Sequence, residues 1–211
     1  MPLRVPPAPA PALRSVTAAL RSRAADGRPA LRPARALPVH ELDQVRREGP
    51  PRTRLTGWRF LLCAADADAA DGADRGHGTD AESGAAAAAA ADAPAVGAAE
   101  AMLTADGWAF AHFGGGPYVA SAERALRQAE VLPLPYQPRL LSVPELYMLT
   151  LWLHGDAEAD AAAGSPGPSD LLVPLAPAPP GIAPHLPQRV DVLLPLLTDR
   201  LPAAPLLRAS A

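Results

Sequence analysis

The densest apolar run of the chain, Arg139 to Gly155 (RLLSVPELYMLTLWLHG), is the segment around which any fold of this sequence has to be arranged. Ser142, with Glu145 three positions on, has the form of a capping box, in which each side chain satisfies the other's backbone amide. Pro144 falls where the first turn of a helix tolerates a missing amide, and Gly155 where a helix ends in a left-handed residue. Between them Leu146, Tyr147, Met148, Leu149, Leu151, Trp152 and Leu153 leave almost no polar face. The pattern predicts a central helix, buried on several sides and too short to span a bilayer.

Much of the remainder is interrupted by proline (27 residues) and glycine (16) without a repeat period, which points to linkers rather than a collagen-like array. The 211 residues are therefore expected to hold one small domain. Residues 1–54 read as an Arg-, Pro- and Ala-rich, largely disordered N-terminal tail. Residues 55–201 read as one small α+β domain with low-complexity inserts at 64–97 and 156–169, and 202–211 as a disordered C-terminal tail. No internal repeat is detected.

Within the tail, Leu13 to Ala25 offers a frayed helix with Leu13, Val16 and Leu20 on one face, and Val39 to Glu48 a second short one. Gly57 to Cys63 is the first clear strand, with Trp58, Phe60 and Leu62 on one face and Arg59, Leu61 and Cys63 on the other. Ala98 to Thr104 and Trp108 to Phe113 read as a hairpin turning at Asp106-Gly107 in a type I′ turn. That turn sets Leu103 opposite Phe110 and Ala101 opposite His112, with Met102–Ala111 and Glu100–Phe113 on the other side. Pro117 opens a helix to Glu130 with Val119, Ala122, Leu126 and Ala129 as its apolar stripe. Leu132 to Pro138 is an extended connector, Asp170 to Leu175 an edge strand, and Gln188 to Leu201 a helix kinked at Pro195. The expected fold class is thus α+β: a small antiparallel sheet, strand 57–63 plus hairpin 98–113, packed against two to three helices with long low-complexity linkers.

All 19 basic residues are Arg, which together with the excess of Ala, Pro, Gly and Asp matches the codon bias of a GC-rich genome. Residues 1–56 carry 11 Arg against 4 acidic residues, whereas 57–211 carry 8 against 18. Such a split suits a solvated tail, one folded back on an acidic domain, or one that touches nucleic acid; the lack of interleaved aromatics favours the first. The one cysteine, Cys63, excludes an internal disulfide framework and a Cys-based zinc site, and a reducing, cytoplasmic setting is expected. Neither a secretory signal nor a transmembrane segment is found.

Catalytic chemistry finds little support in the pattern. Gly114-Gly115-Gly116 precedes a helix, yet no Lys follows as a phosphate loop requires, and Val119 stands where a dinucleotide fingerprint needs its third Gly. Ser121, His112 and Glu123 lie close enough in sequence to suggest nucleophile, base and orienter, but no nucleophile elbow surrounds the serine. The five histidines are too scattered for paired metal ligation, and Asp66 to Asp74 departs from a calcium loop at Ala70 and Asp71. Arg139, just before the apolar run, is expected to pair with Glu145 or Glu130 or to clamp a ligand carboxylate. No catalytic residue, metal or cofactor is therefore expected.

The leading expectation is a non-enzymatic accessory or adaptor protein acting through contacts with another protein, with self-association open. The alternative is a small-molecule-binding domain or enzyme whose pocket gathers His112, Tyr118 and Arg139. A third reading, nucleic-acid contact through the Arg-rich tail, is weaker, and no membrane association is expected.

Overall fold

The computed structural model describes residues 3–44, 52–65 and 94–200. They form a helix α1 (Ala10–Ala25) and strands β1 (Leu31–Gln44), β2 (Arg52–Ala64), β3 (Gly97–Thr104) and β4 (Gly107–Gly114). A second helix α2 (Pro117–Glu130) is followed by β5 (Gln137–Val143), β6 (Met148–His154), β7 (Leu171–Pro174), the two-residue β8 (Gln188–Arg189) and helix α3 (Val190–Thr198). All eight strands join one sheet in the order β4-β3-β2-β1-β5-β6-β7-β8. Every neighbouring pair is antiparallel except β1 with β5, which run parallel through Val39–Leu140, His40–Leu141 and Glu41–Ser142.

This corrects the expected small antiparallel sheet: the sheet is large and mixed. Two misread segments supply the difference. The stretch expected to be a solvated tail holds a packed helix α1, where a frayed helix was expected at Leu13–Ala25, and the central strand β1, which replaces the short helix expected from Val39. Pro33 and Pro38 argue against a central strand because proline cannot donate to a ladder. They are accommodated because β1 has a second strand neighbour only from Val39 to Glu41, so both prolines lie where the strand has a partner on one side.

The second correction concerns Arg139–Gly155, which is a β-hairpin and not a helix. β5 and β6 are joined by a single 3-10 turn at Pro144–Leu146, with Tyr147 left-handed at φ 49°. A strand covered on both faces reads as a continuous apolar run, so it imitates a buried helix. Leu140, Leu149, Leu151 and Leu153 enter one core, while Leu141, Val143, Met148 and Trp152 enter another.

The front face of the sheet carries α1 and α3. Ala12, Val16 and Leu20 of α1 pack on Trp58, Phe60, Leu62, Ala99 and Ala101. Val190, Leu193, Leu194 and Leu197 of α3 pack on Leu141, Met148, Trp152 and Leu172. The back face carries α2, whose small stripe Ala122, Ala125, Leu126 and Ala129 lets the helix sit close on Leu37, Leu61, Leu140 and Leu151. The alternation expected for 57–63 and the stripe expected for 117–130 are thus both present.

A helix followed by a four-stranded meander therefore occurs twice, and the first strand of each unit meets the other, in parallel, at the centre of the sheet. Half a turn about an axis along the strands exchanges the two layouts, which is why α1 and α2 lie on opposite faces. No repeat in the sequence announces this.

Hairpin β3–β4 forms, but in a different register. Thr104 pairs with Gly107, Leu103 with Trp108 and Ala101 with Phe110, so the turn residues are Ala105-Asp106 and the positive φ falls on Gly107. A bulge then shifts the ladder, setting Glu100 opposite His112 and Ala99 opposite Phe113. The bulge turns Trp108, Phe110 and Phe113 all toward the front core. Expectations for residues 66–93 of the acidic insert, including the calcium-like aspartates, and for residues 45–48 and 201–211 lie outside the described residues.

Candidate functional site

The largest gathering of buried polar groups lies on the front face, where residues 156–169 cross the strands. On strands, residues two apart share a face, so Gln137 and Arg139 of β5 and Thr150, Trp152 and His154 of β6 point the same way. His40 of β1 joins them, its ring edge-on to Trp152 at 5.2 Å between centroids. Trp152 also receives the Arg139 guanidinium over its face at 4.8 Å and His154 edge-on at 5.4 Å.

The crossing segment is held through its carbonyls. Gln137 Nε2 donates to Ala159 O (2.7 Å) and His40 Nε2 to Ala161 O (2.9 Å). Arg139 donates from Nε to Gln137 Oε1 (2.8 Å), from Nη2 to Asp160 O (2.9 Å) and from Nη1 to Ala163 O. Thr53 Oγ1 donates to Gly164 O (2.8 Å). At the far end the buried Asp170 carboxylate accepts from Trp152 Nε1 (2.7 Å), Gly155 N (2.8 Å), Gly167 N (2.9 Å) and His154 Nδ1 (3.0 Å).

Burial alone would make Asp170 hard to ionise, but the bonds from His154, Gly155, Gly167 and Trp152 outweigh it and hold the group down to about 2. Burial is also the main reason His40 falls to about 4, helped by the charges of Arg139 and His154 and opposed by its bond to Ala161. Arg139 is lowered by burial, against the pull of Asp170, Asp160 and Asp156. Each nitrogen of Arg139 has an acceptor within the chain, and both oxygens of Asp170 are engaged. The arrangement is a clamp on 156–170, and its buried charges, Arg139 and Asp170, are both spent on partners within the chain.

The three residues expected to line a pocket are not brought together. Arg139 lies under the clamp on the front face, bound to carbonyls and not to Glu130, which pairs with Arg35 at 2.9 Å. His112 is exposed on the back face of β4, with Nε2 3.9 Å from Glu100, itself paired with Arg59. Strand spacing puts β4 and β5 roughly 19 Å apart. Tyr118 shares the back face, its hydroxyl proton shared between Tyr147 O (2.7 Å) and Pro177 O (3.0 Å). Burial raises the Tyr118 phenol, with the charge of Arg59 opposing.

Ser121 does meet an imidazole, but that of His185. Its Oγ lies 3.2 Å from His185 Nε2 and accepts from Ala176 N at 2.7 Å. His185 Nδ1 is buried with no hydrogen-bond partner among the described residues, so nothing there orients the ring as a base. Glu123 instead accepts from Ala95 N and faces Arg127. The pair joins α2 to the proline-rich segment before β8. Sequence reasoning missed it because the partners are 64 residues apart in a stretch with no periodic pattern.

Among the described residues, β4 ends the sheet with no further strand beside it. Its eight residues, GWAFAHFG, include no Arg, Lys, Asp or Glu, and Trp108, Phe110 and Phe113 are only partly buried. Among the described residues no group of three or more His, Cys, Asp or Glu could hold a metal ion, and no helix is long and apolar enough to cross a membrane. Compared with protein-family models, curated proteins and solved structures, the chain matches none.

Proposed function

We propose that this protein is a non-enzymatic accessory or adaptor protein of the cytoplasm that acts through protein contacts, with the β4 edge as its contact element. The observation that carries the reading is the inequality of the sheet's two edges. One ends in β8, a strand of two residues, and the other in β4, a strand of eight residues without charge. Exposed edges are ordinarily kept short or studded with charge, because alternate residues turn unpaired N–H and C=O groups outward as a template for another strand. Here a third of the nine Phe, Trp and Tyr residues stands on that one strand, and half-buried aromatics are the residue type that anchors protein interfaces.

Two further features agree with this reading. The buried polar cluster closes on itself, and the single cysteine is a buried free thiol, which suits a reducing compartment. The test is recovery of the tagged full-length protein from its native cells at low and high salt, wild type beside Ala109→Lys, a charge at an exposed position of the edge. A stoichiometric protein that survives high salt and is lost with Ala109→Lys supports the reading. Associations unchanged by the substitution, or only a nucleic acid lost at high salt, contradict it.

A further inference from the structure

Resting on that reading of the edge, we infer that β4 pairs antiparallel with β4 of a second copy of this chain, making one sixteen-stranded sheet across a two-fold axis. The argument is self-complementarity of the strand. Gly107-Trp108-Ala109-Phe110 and Ala111-His112-Phe113-Gly114 read against each other set Gly107 opposite Gly114, Trp108 opposite Phe113, and Ala109 opposite His112 of the second copy. Aromatic thus meets aromatic at Trp108 and Phe113, and Ala109 and Ala111 face His112 and Phe110.

Faces agree as well. An isologous antiparallel pair keeps the front faces of both copies on one side of the joint sheet. In an unbroken strand, same-face partners differ by an even number of residues. The bulge at Ala111, which has no partner on β3, inserts one residue. Pairs that span it therefore share a face only when they differ by an odd number, as 108–113 and 109–112 do. Of the registers meeting this condition, the one described overlaps all eight residues. A slip of one would set Trp108 against the back-facing His112.

Charge points the same way. With no Arg, Lys, Asp or Glu on β4, no like-charge contact between such side chains arises across the axis. Arg23 of α1 already lies over the Phe113 ring, 5.4 Å from its centroid, so Trp108 of the second copy enters beside an existing cation–π pair.

The experiment is molecular mass by light scattering and sedimentation of the purified full-length chain over a range of concentrations. Wild type is compared with Ala109→Lys and with the double variant Ala109→Lys/His112→Glu. The expected result is a dimer of twice the 21.8 kDa chain mass. Ala109→Lys, which puts a long charged side chain in place of a small residue opposite His112 twice across the axis, weakens it by about tenfold. The double variant, which makes each of those contacts a Lys–Glu pair, recovers the dimer. A dimer indifferent to both variants overturns the assignment to β4, and one weakened by Ala109→Lys but not recovered overturns the register. A monomer at all concentrations overturns self-pairing. If that monomer still holds another protein that Ala109→Lys releases, the adaptor reading stands while this one falls. If its outward β4 amides are protected from hydrogen exchange, the chain's own residues occupy the edge and the inference is likewise overturned.

Discussion

Two buried side chains make acid stability a residue-scale property of this protein. His40 titrates at about 4 in the fold against an ordinary 6.5, so between those values the unfolded chain takes up the proton and the folded one does not. Stability therefore falls as the pH drops from 6.5 to 4, by roughly 3 kcal/mol from this residue, and levels below. Asp170 acts in a lower window. Its charged form persists to about 2 against an ordinary 3.8, so its contribution is present above 3.8 and is lost as the pH falls toward 2. Denaturant unfolding of His40→Gln, whose amide still reaches toward Ala161 O, is expected to show a flatter stability profile between pH 6.5 and 4 than wild type. An unchanged slope would remove His40 as its source. Gly57 sets a different constraint: a Cβ there would lie 2.5 Å from Ala101 O. Gly57→Ala should lower unfolding free energy by about 1–3 kcal/mol, since backbone of β3 has to move. Neither role is visible in sequence, because each depends on an atom that another strand or segment brings in.

At the scale of elements, the sequence was legible where one face is buried and the other is not. The stripe in 117–130 rests on that asymmetry, whereas the strand around Trp58, covered on both faces, was legible from its short length and its aromatic and aliphatic residues; both elements are present. Reading failed in the longer two-sided run of β5 and β6, which has no period. It failed also at β1, where two prolines and scattered arginines imitate a tail. The segment 156–169 was legible as irregular, but not as fastened, since its anchors are backbone carbonyls that any residue supplies. Gln137-x-Arg139 followed by Thr150-x-Trp152-x-His154 was the available signal: polar residues two apart within apolar runs mark one face of paired strands. Removing the main anchor should free the segment without dissolving the sheet. Arg139→Met, which keeps an apolar stem against Trp152, is expected to speed cleavage by a Glu- and Asp-directed protease within 156–160 at least several-fold while the far-ultraviolet spectrum is retained. Cleavage as slow as in wild type would mean that Asp170 and Gln137 suffice.

At the scale of the whole molecule, the two helix-and-meander units differ most at their outer ends. The second unit tapers to β8 and is capped by α3, while the first ends in a full-length strand carrying three aromatics beside α1. The site expected around His112, Tyr118 and Arg139 has no counterpart on this scale, because the sheet separates Arg139 from the other two by face. His112 was singled out for its neighbours in sequence, and it does lie on the strand proposed for contact, although its proposed role there is opposite Ala109 of a second chain. Amide hydrogen exchange along β4 in the full-length protein reads pairing at this edge residue by residue. Dilute and concentrated samples are compared at one pH. Alternate, outward-facing amides between Gly107 and Gly114 are expected to exchange rapidly when dilute and to become protected on association, with the amides of β1 and β2 unchanged. Outward amides that exchange at the same rate in both samples, while the mass shows association, would contradict pairing at β4.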